Sequence, residues 1–113
     1  MIIGIGTDIV EIERVKKAIS PAFMAKVLSK NELEKTYEMS EERKISFLAG
    51  RFAAKEAIIK ALSDFEYPEM SDLDIVNDEK GKPEISYKDY DLLVSISHER
   101  KFATAVALLQ NKE

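Results

Sequence analysis

The stretch that decides the fold is Ser40-Glu41-Glu42-Arg43-Lys44-Ile45-Ser46-Phe47-Leu48-Ala49-Gly50-Arg51-Phe52-Ala53-Ala54-Lys55-Glu56-Ala57-Ile58-Ile59-Lys60-Ala61-Leu62. Ser40 suits an N-cap, where a hydroxyl accepts from an early backbone N–H. Glu41 and Glu42 follow in the first turn, where carboxylates suit the positive end of the helix dipole. The pattern predicts one long helix ending near Leu62. At about 100° per residue, Ile45, Phe47, Leu48, Phe52, Ile58, Ile59 and Leu62 gather on a wide apolar face. Arg51 and Lys55 lie in the middle of that face. Glu56 and Lys60 flank it, beside a narrow face of Ala49, Ala53 and Ala57. Two readings follow. Either Arg51 and Lys55 snorkel past apolar neighbours into water, with Glu56 and Lys60 an ordinary helix-surface pair, or these cations and one carboxylate face a phosphate-bearing ligand and its metal, since charges in an apolar setting are costly without a partner.

Outward from this helix, Ile2 to Val10 predicts a strand whose Gly4 and Gly6 permit close backbone approach. Glu11 to Ile19 predicts a helix, with Ile12, Val15 and Ile19 at helical spacing; Pro21 interrupts it and Ala22 to Leu28 resumes. Ser29 with Glu32 spells a capping box, so a short helix starts at Lys30. Beyond the long helix, Pro68 lies in an acidic loop. Four strand-like pieces follow: Leu73 to Asn77, Glu84 to Tyr87, Leu92 to Ser97 and Phe102 to Leu109. Their hairpin-length connections predict antiparallel pairing. The class is α+β: an N-terminal strand, helices, then an antiparallel meander packed on the long helix.

At 113 residues the chain fits one domain, 1–113. Ile, Leu, Val and Phe exceed a quarter of it, above the roughly 20% below which highly charged chains stay disordered. The net charge of −4 argues against general nucleic-acid binding, which needs local basicity. With no Cys and a single His, His98, disulfides, zinc-thiolate sites, a cysteine nucleophile and multi-histidine metal sites are excluded. No run approaches the roughly 20 apolar residues of a membrane span. The N-terminus lacks a basic region before its apolar stretch. A cytoplasmic protein is expected.

Other residues carry weaker signals. Asp8, after Thr7, reads as a helix-start residue or as a metal ligand at a strand end. The Gly4-x-Gly6 spacing is no dinucleotide fingerprint, because position 9 is Ile. His98 closes a strand in a tight turn, as a structural or solvated group or as a ligand contact. Gly81-Lys82-Pro83 is a hairpin turn. Arg14, Lys16 and Lys17 form a basic face on the first helix.

Taken together, the segments resemble the short bacterial type of 4'-phosphopantetheinyl transferase, the holo-[acyl-carrier-protein] synthases. Gly4 to Arg14 is similar to that family's first motif, Phe47 to Ala61 to its second, Asn77 to Pro83 to its glycine-proline turn, and Val94 to His98 to its strand ending in histidine. The resemblance implies transfer of the 4'-phosphopantetheine arm of coenzyme A to a serine of apo acyl carrier protein. The leaving group is adenosine 3',5'-bisphosphate, and the reaction serves fatty acid biosynthesis. It implies Mg²⁺ held by Asp8 and Glu56. Lys60 neutralises the departing phosphate, and Glu56, or a water beside it, is the base. Arg51, Lys55, Lys60 and His98 contact coenzyme A phosphates, and Gly81, Lys82 and Pro83 line its nucleotide end. It implies a homotrimer with sites between subunits, and Val94, Ile96, Val106 and Leu108 alternate where one face can cross a subunit boundary. Carrier docking falls to Arg14, Lys17 and Lys26. Where the family often has a glycine-rich loop, this chain has Ser63 to Pro68, so no contact of that loop transfers. The competing reading is a non-catalytic oligomeric module that holds coenzyme A or a nucleotide; a purely structural interaction protein is the third.

Overall fold

Ser40 caps the long helix as expected, its hydroxyl accepting from Arg43 N at 3.2 Å. The computed structural model describes residues 1–111. Strand β1 (Ile2–Glu11) leads into three short helices, α1 (Ile12–Ala18), α2 (Pro21–Val27) and α3 (Lys30–Lys35). Then come α4 (Glu41–Leu62), the short strands β2 (Ile75–Asn77) and β3 (Pro83–Ile85), and the longer β4 (Asp91–His98) and β5 (Phe102–Gln110). The capping box at α3 is complete: Glu32 N donates to the Ser29 hydroxyl and Ser29 N to the Glu32 carboxylate.

The class is α+β, but the four C-terminal strands do not form one meander. β2 and β3 make a separate hairpin, while the main sheet runs β1-β5-β4. The N-terminal strand takes the place beside β5, pairing antiparallel from Ile2↔Gln110 to Glu11↔Phe102. A contact between the two ends of the chain leaves no mark in local periodicity. The β2–β3 turn is set by chemistry nearby: Asp78 Oδ1 accepts from Lys80 N and Lys82 N at 2.8 and 2.9 Å, and Gly81 has φ +85°, a left-handed conformation that glycine adopts without penalty.

Helix α4 crosses the sheet on its small-residue face. A Cβ on Gly6 would overlap the carbonyl oxygen of Ala57, one on Gly4 that of Ala61, and one on Gly50 would sit 3.2 Å from Ile96 Cγ2. The helix backbone therefore rests on β1 near its C-terminus and on β4 near its middle. Its bulky face, with Leu48, Ile58 and Leu62 fully buried, turns toward α2, α3 and the β2–β3 hairpin. Each such side chain contributes about 1.5–3 kcal/mol of burial.

Register divides the apolar residues of β4 and β5 between two faces. Val94 pairs with Ala107 and Ile96 with Ala105, which puts them on the face toward α4. Val106 and Leu108 face the other way, with Ile5 (63% exposed), Ile9 (64%) and Leu93 (46%) beside them. Of the four residues said to alternate, Val106 and Leu108 are thus the ones on the face away from α4.

Candidate active site

Asp8 is not a helix cap. β1 continues through Glu11, which occupies the cap position of α1 without a side-chain bond. Asp8 pairs with Ala105 on the α4 side of the sheet, where the helix delivers Glu56 and Lys60. Lys60 Nζ donates to the Thr7 carbonyl at 2.8 Å and lies 3.4 Å from Asp8 Oδ1. Burial and then the neighbouring Asp8 carboxylate push the Glu56 carboxyl above its ordinary range, and Lys60 partly offsets them. Like charges held together in this way are stabilised by a cation.

The donor set suits a hard divalent ion. Two carboxylates leave several positions for water and phosphate oxygens, the usual condition of Mg²⁺ sites. Among the described residues no cluster of three or more His, Cys, Asp or Glu side chains forms a closed cage. An ion here would depend on its substrate for further ligands.

Three cavities border the pair, one of them of about 510 Å³ lined by Asp8, Lys60, Ser95 and Ser97. Arg14, Phe23, Phe52, Asp8 and Glu56 share one of about 310 Å³. Lys26, Phe23, Phe52, Glu56 and Met70 share another of about 470 Å³. Arg14, Lys17 and Lys26 are all exposed; Arg14 and Lys26 line the two cavities at Glu56, and Lys17 lines neither.

A second constellation lies at the opposite edge of the sheet. Arg51, Asn77, Gly81, Pro83 and His98 line a cavity of about 420 Å³, joined by Arg43, Ser46, Phe47, Gly50 and Ile96. Lys82 is exposed in the same turn. Arg43, Ser46 and Asn77 were not among the sequence candidates. Their signal was the placement of Ser46 and Arg43 on α4 about one and two turns before Arg51, and of Asn77 at the head of the turn.

Lys55 is a correction. It was expected against ligand phosphate, yet its side chain is fully buried. Its Nζ donates to the Val27 carbonyl at 2.8 Å and to Glu32 Oε1. Arg51 shares that carboxylate, with Nε 3.3 Å from Glu32 Oε2. Desolvation lowers the pKa of both cations, and Glu32 opposes it. The partner that the apolar face of α4 demanded is protein, nineteen residues before Arg51. Sequence reasoning saw Glu32 only as half of a capping box.

A further carboxylate, Glu66, anchors the segment after α4. It accepts from Tyr87 Oη at 2.9 Å, Tyr90 Oη at 2.8 Å and Lys88 Nζ at 2.8 Å. The lysine and the two phenols hold its pKa down at about 2.

Fold and site define a small α+β domain with an acidic pair and a lysine at one sheet edge and a cation-lined cavity at the other. The chain belongs to the 4'-phosphopantetheinyl transferase superfamily, whose family model matches residues 4–107. It is 43% identical, over 97% of each chain, to a holo-[acyl-carrier-protein] synthase of Halalkalibacterium halodurans. It is 44% identical, at the same coverage, to one of Staphylococcus aureus. A crystal structure of a holo-(acyl-carrier-protein) synthase from Bacillus anthracis in complex with CoA (3',5'-ADP) superimposes with TM-score 0.90 at 36% identity, covering 99% of each chain. One from Helicobacter pylori in complex with coenzyme A has TM-score 0.79 at 32% identity, covering 94% of this chain and 99% of that one.

Proposed function

We propose that this chain, as one domain over residues 1–113, is a cytoplasmic holo-[acyl-carrier-protein] synthase. It transfers the 4'-phosphopantetheine arm of coenzyme A to a serine of apo acyl carrier protein and so supplies carriers for fatty acid synthesis. The observation that carries the reading is the meeting of Asp8, Glu56 and Lys60 where α4 crosses β1, in a chain so similar to named synthases.

In the reaction the serine Oγ attacks the β-phosphorus of coenzyme A. The bond from that phosphorus to the bridging oxygen breaks, and adenosine 3',5'-bisphosphate leaves with the electron pair. Phosphoryl transfer of this kind asks for positioning and charge neutralisation more than covalent help. Glu56, or a water beside it, takes the serine proton. Lys60 faces the departing phosphate from beside Asp8. Asp8 and Glu56 would hold a Mg²⁺ ion, which would supply Lewis-acid stabilisation of the phosphate charge. Arg51 and His98, with the Gly81-Lys82-Pro83 turn, take the nucleotide phosphates in the cavity at the other edge. Arg14, Lys17 and Lys26 hold the acidic carrier so that its serine enters beside Glu56.

The reading includes a homotrimer with each site shared between neighbouring subunits. β1 and β4 stand two strand spacings apart across β5, about 9–10 Å, and α4 lies over them. The acidic pair and the nucleotide cavity of one chain lie at different sheet edges, and in the assembly proposed here a neighbour's cavity completes each site. The uncovered face of Ile5, Ile9, Leu93, Val106 and Leu108 supplies an apolar surface for that contact.

The test is to incubate the protein with coenzyme A, Mg²⁺ and an apo carrier and to weigh the carrier by mass spectrometry. A gain equal to phosphopantetheine, with adenosine 3',5'-bisphosphate released in equal amount, is expected. Coenzyme A binding with no mass gain would instead select a non-catalytic module.

A further inference from the structure

Glu32 is fully buried, and all of its acceptor capacity is used. Oε1 accepts from Ser29 N at 2.8 Å and from Lys55 Nζ; Oε2 accepts from Ile75 N at 3.1 Å and Arg51 Nε at 3.3 Å. These donors come from the start of α3, the middle of α4 and the first residue of β2. An ionised carboxylate offers about four lone-pair sites, and here each meets a donor.

Arg51 is 5% exposed. Its Nε is on Glu32 and its Nη2 lies 3.3 Å from both the Ile75 carbonyl and Asn77 Oδ1. The Phe47 ring covers its plane, 4.6 Å from Cζ to the ring centroid. One edge and one face of the guanidinium are thus committed to protein. Among the described residues no buried side-chain nitrogen lacks a partner, so the remaining amino group, Nη1, is not sealed away. Arg51 also lines the cavity shared with Gly81, Pro83 and His98, and Nη1 is what it has left to offer there.

We propose that Glu32 is the positioning residue of this anion cavity: through Arg51 Nε it fixes the guanidinium so that Nη1 meets a phosphate of the nucleotide, and through Ile75 N it fixes the strand that carries Asn77. Glu32 touches no ligand. Lys55 serves the same end from behind, as the second cation bound to the buried carboxylate. This rests on the functional reading above, in which the cavity takes the nucleotide phosphates of coenzyme A.

The experiment measures binding of adenosine 3',5'-bisphosphate and coenzyme A by calorimetry, and KM and kcat for coenzyme A, in wild type, Glu32→Gln and Glu32→Gln/Lys55→Met. The single variant keeps the shape of the side chain. The double variant also removes the lysine that would otherwise be stranded, which keeps the test open should the single variant not fold. Expected in the folded variants is a Kd for adenosine 3',5'-bisphosphate raised at least tenfold, a parallel rise in KM for coenzyme A, and kcat within threefold of wild type. A merely structural role would lower the melting temperature and leave the affinity of the folded fraction alone. A folded Glu32→Gln or double variant with wild-type affinity overturns the inference by itself. A wild-type protein that binds neither nucleotide overturns the functional reading and this inference with it.

Discussion

Asp8 and Glu56 lie close together with Lys60 beside them. Asp8→Asn and Glu56→Gln are nearly isosteric, so the fold should survive while turnover collapses. On the proposed role of the pair as metal ligands, each loss removes several kcal/mol of transition-state stabilisation; about 3–4 kcal/mol is a 10²–10³-fold loss. Steady-state rates within twofold of wild type in either folded variant would remove the pair from catalysis. Lys55 makes the opposite case. Lys55→Ala leaves Glu32 with Arg51 alone in a dry site, and breaking such a pair costs about 3–5 kcal/mol, to be read as an equal loss of unfolding free energy in urea. The helical wheel located Lys55 and Arg51 correctly in the apolar face, and the demand for a counter-charge was sound. Its identity was not legible, because Glu32 lies on another helix, and only folding brings that helix to the same side.

At the scale of elements, Ser40, Leu62 and the capping box at Ser29 were read close to their places, since caps and periodicity are local. The main sheet was not. β1 joins β5 across the whole chain, and the placement of Val106 and Leu108 depends on that register rather than on alternation alone. The Glu66 clamp was also out of reach, since it joins the segment after α4 to the stretch between β3 and β4. It has a pH signature. Glu66 is held at about 2, below its ordinary 4.5, so its contribution to stability is complete above about pH 5 and is lost as pH falls through the folded value. Urea midpoints of wild type and Glu66→Gln should differ by a constant amount near neutrality and converge between about pH 4.5 and 2; a gap unchanged at pH 2 would contradict the clamp. The basic rim of α1 behaves differently. Arg14 is exposed beside the acidic pair, and rim charges act on association rate and salt response. Arg14→Ala should raise KM for the carrier, leave coenzyme A affinity alone and flatten the fall of kcat/KM with salt. An unchanged carrier KM and salt slope would put docking elsewhere.

For the whole molecule, one sheet carries the acidic pair at one edge, the Arg51–His98 cavity at the other and an uncovered apolar face between them. Leu93→Glu should yield a folded monomer by light scattering, with turnover lost; full activity as a monomer would refute the assembled site. Mixing offers a sharper measurement. Asp8→Asn and Arg51→Met damage different halves, and each should be nearly inactive alone. Refolded together at equal amounts, they should recover about a quarter of the wild-type sites by random pairing in a closed ring. No recovery in mixed assemblies would mean that both halves act within one chain.

The seat of α4 on Gly4 and Gly6 has its own consequence, for the gene. Every residue other than glycine carries a Cβ, and at both positions that atom would fall on a helix carbonyl belonging to rigid backbone. No missense change at these two codons escapes the clash, whatever its polarity or size. In a saturation library selected for activity, codons 4 and 6 should retain synonymous variation alone, while Gly81, whose Cβ would meet open space, should admit asparagine or aspartate at modest cost.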